Sequence, residues 1–156
     1  LILSSNPLYI PKIITEIKNL VIVNRHSSYL PHNGGVWPVF YSISNQMDFT
    51  GVTIHLVNDG IDTGKIIYQK KINLFNKNLY DIYEKCFIDS EEVFLKNLDI
   101  LKNKNFEINT KIKNKIFYNT YPKKKDWVKF RKNGGKFVEW KNLIQFLINF
   151  NKKYER

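Results

Sequence analysis

Asn24 and His26 stand two residues apart in the run Asn24-Arg25-His26-Ser27-Ser28-Tyr29-Leu30-Pro31, and a second polar knot, Asn58-Asp59-Gly60-Ile61-Asp62-Thr63-Gly64, supplies a carboxylate. Side chains at i and i+2 of a strand leave the same face, so Asn24 and His26 can enter one cleft while Arg25 points elsewhere. An amide N–H, an imidazole and a carboxylate that orients the imidazole could bind the oxyanion formed when an amine attacks a carbonyl. Each well-placed donor is worth about 3–4 kcal/mol to such a step. By charge pairing, Asp62 is expected to raise the His26 pKa and favour the imidazolium. A histidine of this kind also serves as a structural hydrogen-bonder, so spacing alone leaves both roles open.

Other chemistries fit the same residues less well. Asn58, Asp59 and Asp62 lack the alternation and closing glutamate of an EF-hand loop. His26, His32 and His55 have no short ligand spacing and a single cysteine, Cys86, to join them, so no metal site is expected. His55, alternating with Ile54 and Leu56, reads as a structural residue of a strand. Ser27 and Ser28 lack the strained elbow of a G-x-S-x-G nucleophile.

The elements that must position these groups follow an α/β order. Leu1 to Ser5 reads as a strand, and Asn6 to Pro11 as a loop into a short helix ending near Asn19. Leu20 to Val23 reads as a buried strand. After a turn at Pro31 to Gly35, the residues Val36, Trp37, Phe40, Tyr41 and Ile43 form a helical apolar face. Thr50 to Val57 and Lys65 to Ile72 are rich in β-branched residues and flank the Asp62 loop as strands. The set Ile82, Tyr83, Cys86, Phe87, Phe94, Leu98 and Leu101 predicts a long amphipathic helix from Leu79 to about Lys102, with Asn78 as its N-cap. Lys102 to Lys115 reads as a loop or hairpin. Asp126 to Lys132 reads as a short helix halted by Gly134-Gly135, and Leu143, Phe146, Leu147 and Phe150 mark a last helix.

With 156 residues, 43% of them apolar, the chain is long enough for one domain with a substantial core. No apolar run approaches the roughly 18 residues of a membrane span, no signal-peptide pattern opens the chain, and Cys86 has no partner for a disulfide, which points to a cytoplasmic protein. The net charge of +11 is uneven, since eleven basic residues between Lys102 and Lys132 face only Glu107 and Asp126. Such a run is commonly a solvated face. A nucleic-acid-binding protein has this charge, but none of the recognised modules is present.

The order and spacing of Asn24-x-His26-x-Ser28-x-Leu30-Pro31, then Gly35 and Pro38, Gly51-Val52-Thr53 and Asp62-x-Gly64 resemble the folate-dependent formyltransferases, over roughly Leu1 to Lys71. The resemblance implies a Rossmann-like α/β domain that transfers a formyl group from 10-formyltetrahydrofolate to a primary amine. It assigns catalysis to Asn24, His26 and Asp62, with protonated His26 and Asn24 on the oxyanion and Asp62 holding His26, and it implies no metal. It also implies that the pterin is bound by backbone groups around Pro7 to Ile10 (Leu8, Tyr9, Ile10) and around Asn58 to Ile61 (Asn58, Asp59, Gly60, Ile61). His32-Asn33-Gly34 departs from the family, where many relatives carry a basic residue before the loop glycine, and this weakens any phosphate or tRNA contact from that loop.

Family members carry two further strand-helix units at the front. The chain, which opens at Leu1 on strand-like residues, is therefore expected to be a fragment lacking that part. Residues 1–104 would be the C-terminal part of the formyltransferase domain, and 105–156 a basic, aromatic α/β extension. Among acceptors, the resemblance extends best to the sugar N-formyltransferases, through Leu79-Tyr80-Asp81-Ile82-Tyr83 and Tyr121-Pro122 to Gly135, which implies a nucleotide-linked amino sugar. Methionyl-tRNA, glycinamide ribonucleotide and an inactive remnant are the alternatives. Basic and aromatic residues between Tyr118 and Trp140 would serve either a nucleotide diphosphate or a homodimer surface.

Overall fold

The computed structural model describes residues 2–4, 10–75, 78–96, 117–139, 141 and 144. Within them a four-stranded sheet runs in the order β1 (Ile2–Ser4), β2 (Ile22–His26), β4 (Phe49–Leu56), β5 (Ile66–Asn73). β1 lies parallel to β2, whereas β4 runs antiparallel to both of its neighbours, β2 and β5. The Asp62 turn joins β4 directly to β5, without the crossover helix that a parallel neighbour needs. A second, two-stranded sheet pairs β3 (Gly34–Gly35) with β6 (Tyr118–Asn119).

The helices are α1 (Lys12–Thr15), α2 (Pro38–Ser44), α3 (Leu79–Lys96) and α4 (Lys124–Lys132). α1 ends short of the Asn19 expected from sequence. α2 begins at Pro38, a residue suited to a first turn because it has no N–H to satisfy there, so Val36 and Trp37 precede the helix. Asn78 caps α3 as anticipated: its Oδ1 accepts from the Asp81 N–H at 3.0 Å. α4 stops at Gly134 and Gly135 as the glycine pair implied. The loop expected over Lys102 to Lys115, the end of the long helix at Lys102 and the helix around Leu143 to Phe150 fall outside the described residues or almost wholly so.

The main core joins α2, α3 and α4 to β5 through Val39, Phe40, Ile72, Leu74, Ile82, Cys86 and Phe130. Phe40 and Phe130 stack with ring centroids 4.6 Å apart. A smaller cluster around Val23 and Ile54 lies in the sheet, backed by Phe94. β4 is buried along nearly its whole length, as a central strand covered on both faces must be. The carboxyl end of β2 and the turn after β4 therefore emerge from a packed frame.

Candidate active site

β2 continues beyond Val23 through His26, so Asn24 and His26 do sit at a strand end, two residues apart on one face. The antiparallel register sets Asn24 opposite His55 and His26 opposite Thr53. Directly opposed residues share a face of the sheet. His55 accordingly meets the other two: its Nε2 is 3.3 Å from Asn24 Nδ2 and 3.5 Å from Asp62 Oδ1. Its Nδ1 donates to Leu56 O at 2.8 Å. His55 Nε2 is thus left to accept from Asn24 or, when protonated, to donate to Asp62.

Asp62 arrives from the β4–β5 turn. Asn58 shapes that turn by accepting from the Gly60 N–H and the Thr63 hydroxyl. Asp62 itself has φ +53°, a left-handed conformation that is costly for a side chain other than glycine. Its Oδ1 lies 3.7 Å from His26 Nδ1, and its Oδ2 accepts from the Gly35 N–H at 2.7 Å. His26 Nε2 lies 3.0 Å from Asn33 O, and because a carbonyl can only accept, that nitrogen carries a proton.

The electrostatics correct the expectation of a raised His26 pKa. Burial pushes it below the ordinary 6.5, outweighing the upward pull of Asp62 and the Asn33 carbonyl, while His55 and Arg25 lower it further. For Asp62, burial acts upward, but the His55 hydrogen bond, the His26 charge and the Gly35 N–H together hold the carboxyl below its usual range. The resting pair is a carboxylate beside a neutral imidazole.

These groups open on a cleft of about 530 Å³, a size that suits a small-molecule ligand. Of the residues assigned to the pterin, Ile10, Asn58, Gly60 and Ile61 line it. Asp59 does not: it is exposed and reaches Lys12 Nζ at 3.8 Å. Leu8 and Tyr9 lie outside the described residues. Apolar Ile10, Val36, Trp37 and Ile61 and polar Asn24, His26, His55 and Asp62 share the lining of the cleft. Among the described residues no cluster of three or more His, Cys, Asp and Glu side chains could hold a metal ion, and no helix is long and apolar enough to cross a membrane.

Two further residues stand at the cleft in ways that spacing along the chain does not show. His55 alternates with Ile54 and Leu56 as any strand residue would, and only the β2–β4 register reveals that it faces Asn24. Tyr118 lies far along the chain, yet it lines the cleft and donates its hydroxyl to Ile61 O at 2.6 Å.

Residues 2–97 match the sequence profile of a family described as formyl transferase. The methionyl-tRNA formyltransferase of Prochlorococcus marinus (strain AS9601) is 40% identical over 103 residues, covering 65% of this chain and 31% of that protein. The chain thus spans about a third of the length of the curated relatives it matches. Among solved structures, the formyltransferase PseJ from Anoxybacillus kamchatkensis, in complex with UDP-4,6-dideoxy-4-formamido-L-AltNAc and tetrahydrofolate, superposes with a TM-score of 0.67 at 28% identity, over 78% of this chain and 64% of that one. An N-formyltransferase from Helicobacter canadensis, in complex with folinic acid and dTDP-3-aminofucose, superposes with a TM-score of 0.59 at 31% identity, over 64% of this chain and 37% of that one. The fold is the Rossmann-like α/β arrangement of these proteins.

Proposed function

The chain belongs to the formyl transferase family, and from that premise we propose that it takes part in moving a formyl group from 10-formyltetrahydrofolate to the primary amine of a nucleotide-linked amino sugar, in the cytoplasm. The observation that carries this reading is the convergence of Asn24, His26 and Asp62 on the lining of one cleft. The folate derivative would supply an electrophilic formyl carbon, and Ile10 with the backbone of Asn58 to Ile61 would hold its pterin.

Asn24 donates an amide N–H to the oxygen that becomes negative as the amine attacks. Its other N–H engages His55, which fixes the amide plane. His26 starts neutral and buried. A growing negative charge beside it favours its protonation, so it accepts a proton as the tetrahedral centre forms and stabilises the oxyanion as a cation. Asp62 supplies the compensating charge and holds the ring. Proton exchange with the attacking amine and the leaving nitrogen passes through this pair and water.

The nucleotide-sugar acceptor is favoured by the superposition on PseJ and on the Helicobacter enzyme, both solved with nucleotide-linked sugars. Tyr118 and Tyr121 on the rim offer aromatic faces for a base or sugar. Methionyl-tRNA is the second reading, favoured by the 40% identity to the Prochlorococcus enzyme.

Formyl transfer from 10-formyltetrahydrofolate by the full-length protein, assayed against a panel of nucleotide-linked amino sugars and against methionyl-tRNA, tests the proposal. Turnover of a sugar, lost in His26→Ala and Asp62→Asn, supports it. Turnover of methionyl-tRNA alone replaces the acceptor, and full activity in either variant overturns the assigned mechanism.

A further inference from the structure

Asp62 is held on two sides. Its carboxylate accepts from the Gly35 N–H, and the carbonyl of the preceding residue, Ile61, accepts the Tyr118 hydroxyl at 2.6 Å. Both anchors belong to one strip, because β6 pairs Tyr118 with Gly34 and Asn119 with Gly35. Asn119 O accepts from the Val36 N–H at 3.1 Å, and Asn119 Nδ2 donates to Asn33 Oδ1 at 3.2 Å. Asn33 is the residue whose carbonyl faces His26. Gly35 has φ +85°, and a Cβ there would strike Asn119 O, so the close approach of the two strands demands glycine. Residues 118–119 therefore brace the loop behind His26 and the turn carrying Asp62 at once, from more than fifty positions away in sequence.

We propose that Tyr118 is a positioning residue: its hydroxyl pins the Ile61 carbonyl and so keeps Asp62 in reach of His26. The left-handed backbone at Asp62, which Asp adopts more readily than most side chains but still at some cost, gives such a restraint something to hold. The Tyr118 ring is half exposed, so its hydroxyl contributes geometry to the site more than packing to the core. Burial and the Asp62 charge push the phenol pKa up, which keeps it a proton donor across the working range.

The consequence for the proposed reaction rests on the formyl-transfer reading, but the positioning itself is measurable without substrate. The groups facing His26 are Asp62, the Asn33 carbonyl, His55 and Arg25. Of these, Asp62 gives the largest upward pull on its titration, so an Asp62 that drifts away lets the His26 pKa fall further.

The test is NMR titration of the His26 ring in the full-length protein and in Tyr118→Phe, which keeps the ring and deletes the bond, alongside thermal melting. The expected result is a downward shift of the His26 titration with the melting temperature kept within about 2 °C. Formyl transfer by Tyr118→Phe should fall about tenfold in kcat, as misplacement of a catalytic group implies, with little change in KM. Tyr118→Leu, which removes ring and hydroxyl, should give the same titration shift. An unmoved titration in Tyr118→Phe, or one moved only in Tyr118→Leu, overturns the proposal. A shifted titration in a protein that transfers no formyl group upholds the positioning role and refutes the formyl-transfer reading instead.

Discussion

Asn24 and His55 face each other across the β2–β4 pair, with the amide nitrogen 3.3 Å from the imidazole Nε2, so the orientation of a candidate oxyanion donor is set from a neighbouring strand. The same imidazole nitrogen lies 3.5 Å from Asp62. His55 Nε2 thus stands between two of the three assigned catalytic groups, within reach of either.

His55→Ala is expected to release the Asn24 amide and to deprive Asp62 of a partner. A hydrogen bond with charged character is worth roughly 1.5–3 kcal/mol, so formyl transfer should fall by about ten- to a hundredfold while the circular dichroism spectrum is preserved. Unchanged kcat/KM in a folded variant would remove His55 from the site.

Acid should destabilise the protein in two windows. The folded-state pKa of His26 lies below its ordinary value of 6.5, so the unfolded chain binds more protons there, and the stability from the neutral buried ring is present above pH 6.5 and lost as pH falls through the folded value. Asp62 is depressed below 3.8, so its contribution is lost in turn at still lower pH. Urea unfolding from pH 8 to pH 4 should show the first loss in the wild type and not in His26→Gln, and equal slopes in both would contradict the assignment.

Cys86 should be inert in the native state. It is fully buried, its thiol lies 3.4 Å from Gly51 O, and burial pushes its pKa up to about 12. Alkylation by iodoacetamide at pH 8 is expected only after denaturation, since the thiolate is the reacting species. Rapid native labelling, read by mass spectrometry, would contradict this burial.

Phe130 couples α4 to the main core by stacking on Phe40 and lying against Gly135. Phe130→Ala should cost about 3–5 kcal/mol, seen as a lowered midpoint of urea unfolding. A loss below about 1 kcal/mol would mean that α4 is not integral to this core.

The order of elements was legible in the residues themselves, because hydrophobic period and turn chemistry act locally. β-branched runs became β4 and β5, Asn78 became the cap of α3, and the glycine pair after Lys132 ended α4. The strand spacing of Asn24 and His26 likewise foretold their common face, since alternation in a strand requires nothing beyond the strand. What tertiary structure decided depends on register and burial, which no local window contains. His55 meets Asn24 through the β2–β4 register, the Asp59 side chain turns toward Lys12, and Tyr118 reaches the cleft through a strand pair that closes across the chain. The His26 pKa was decided in the same way. Sequence named the carboxylate that raises it, but only the packed site removes the water around the ring, and desolvation outweighs the pair.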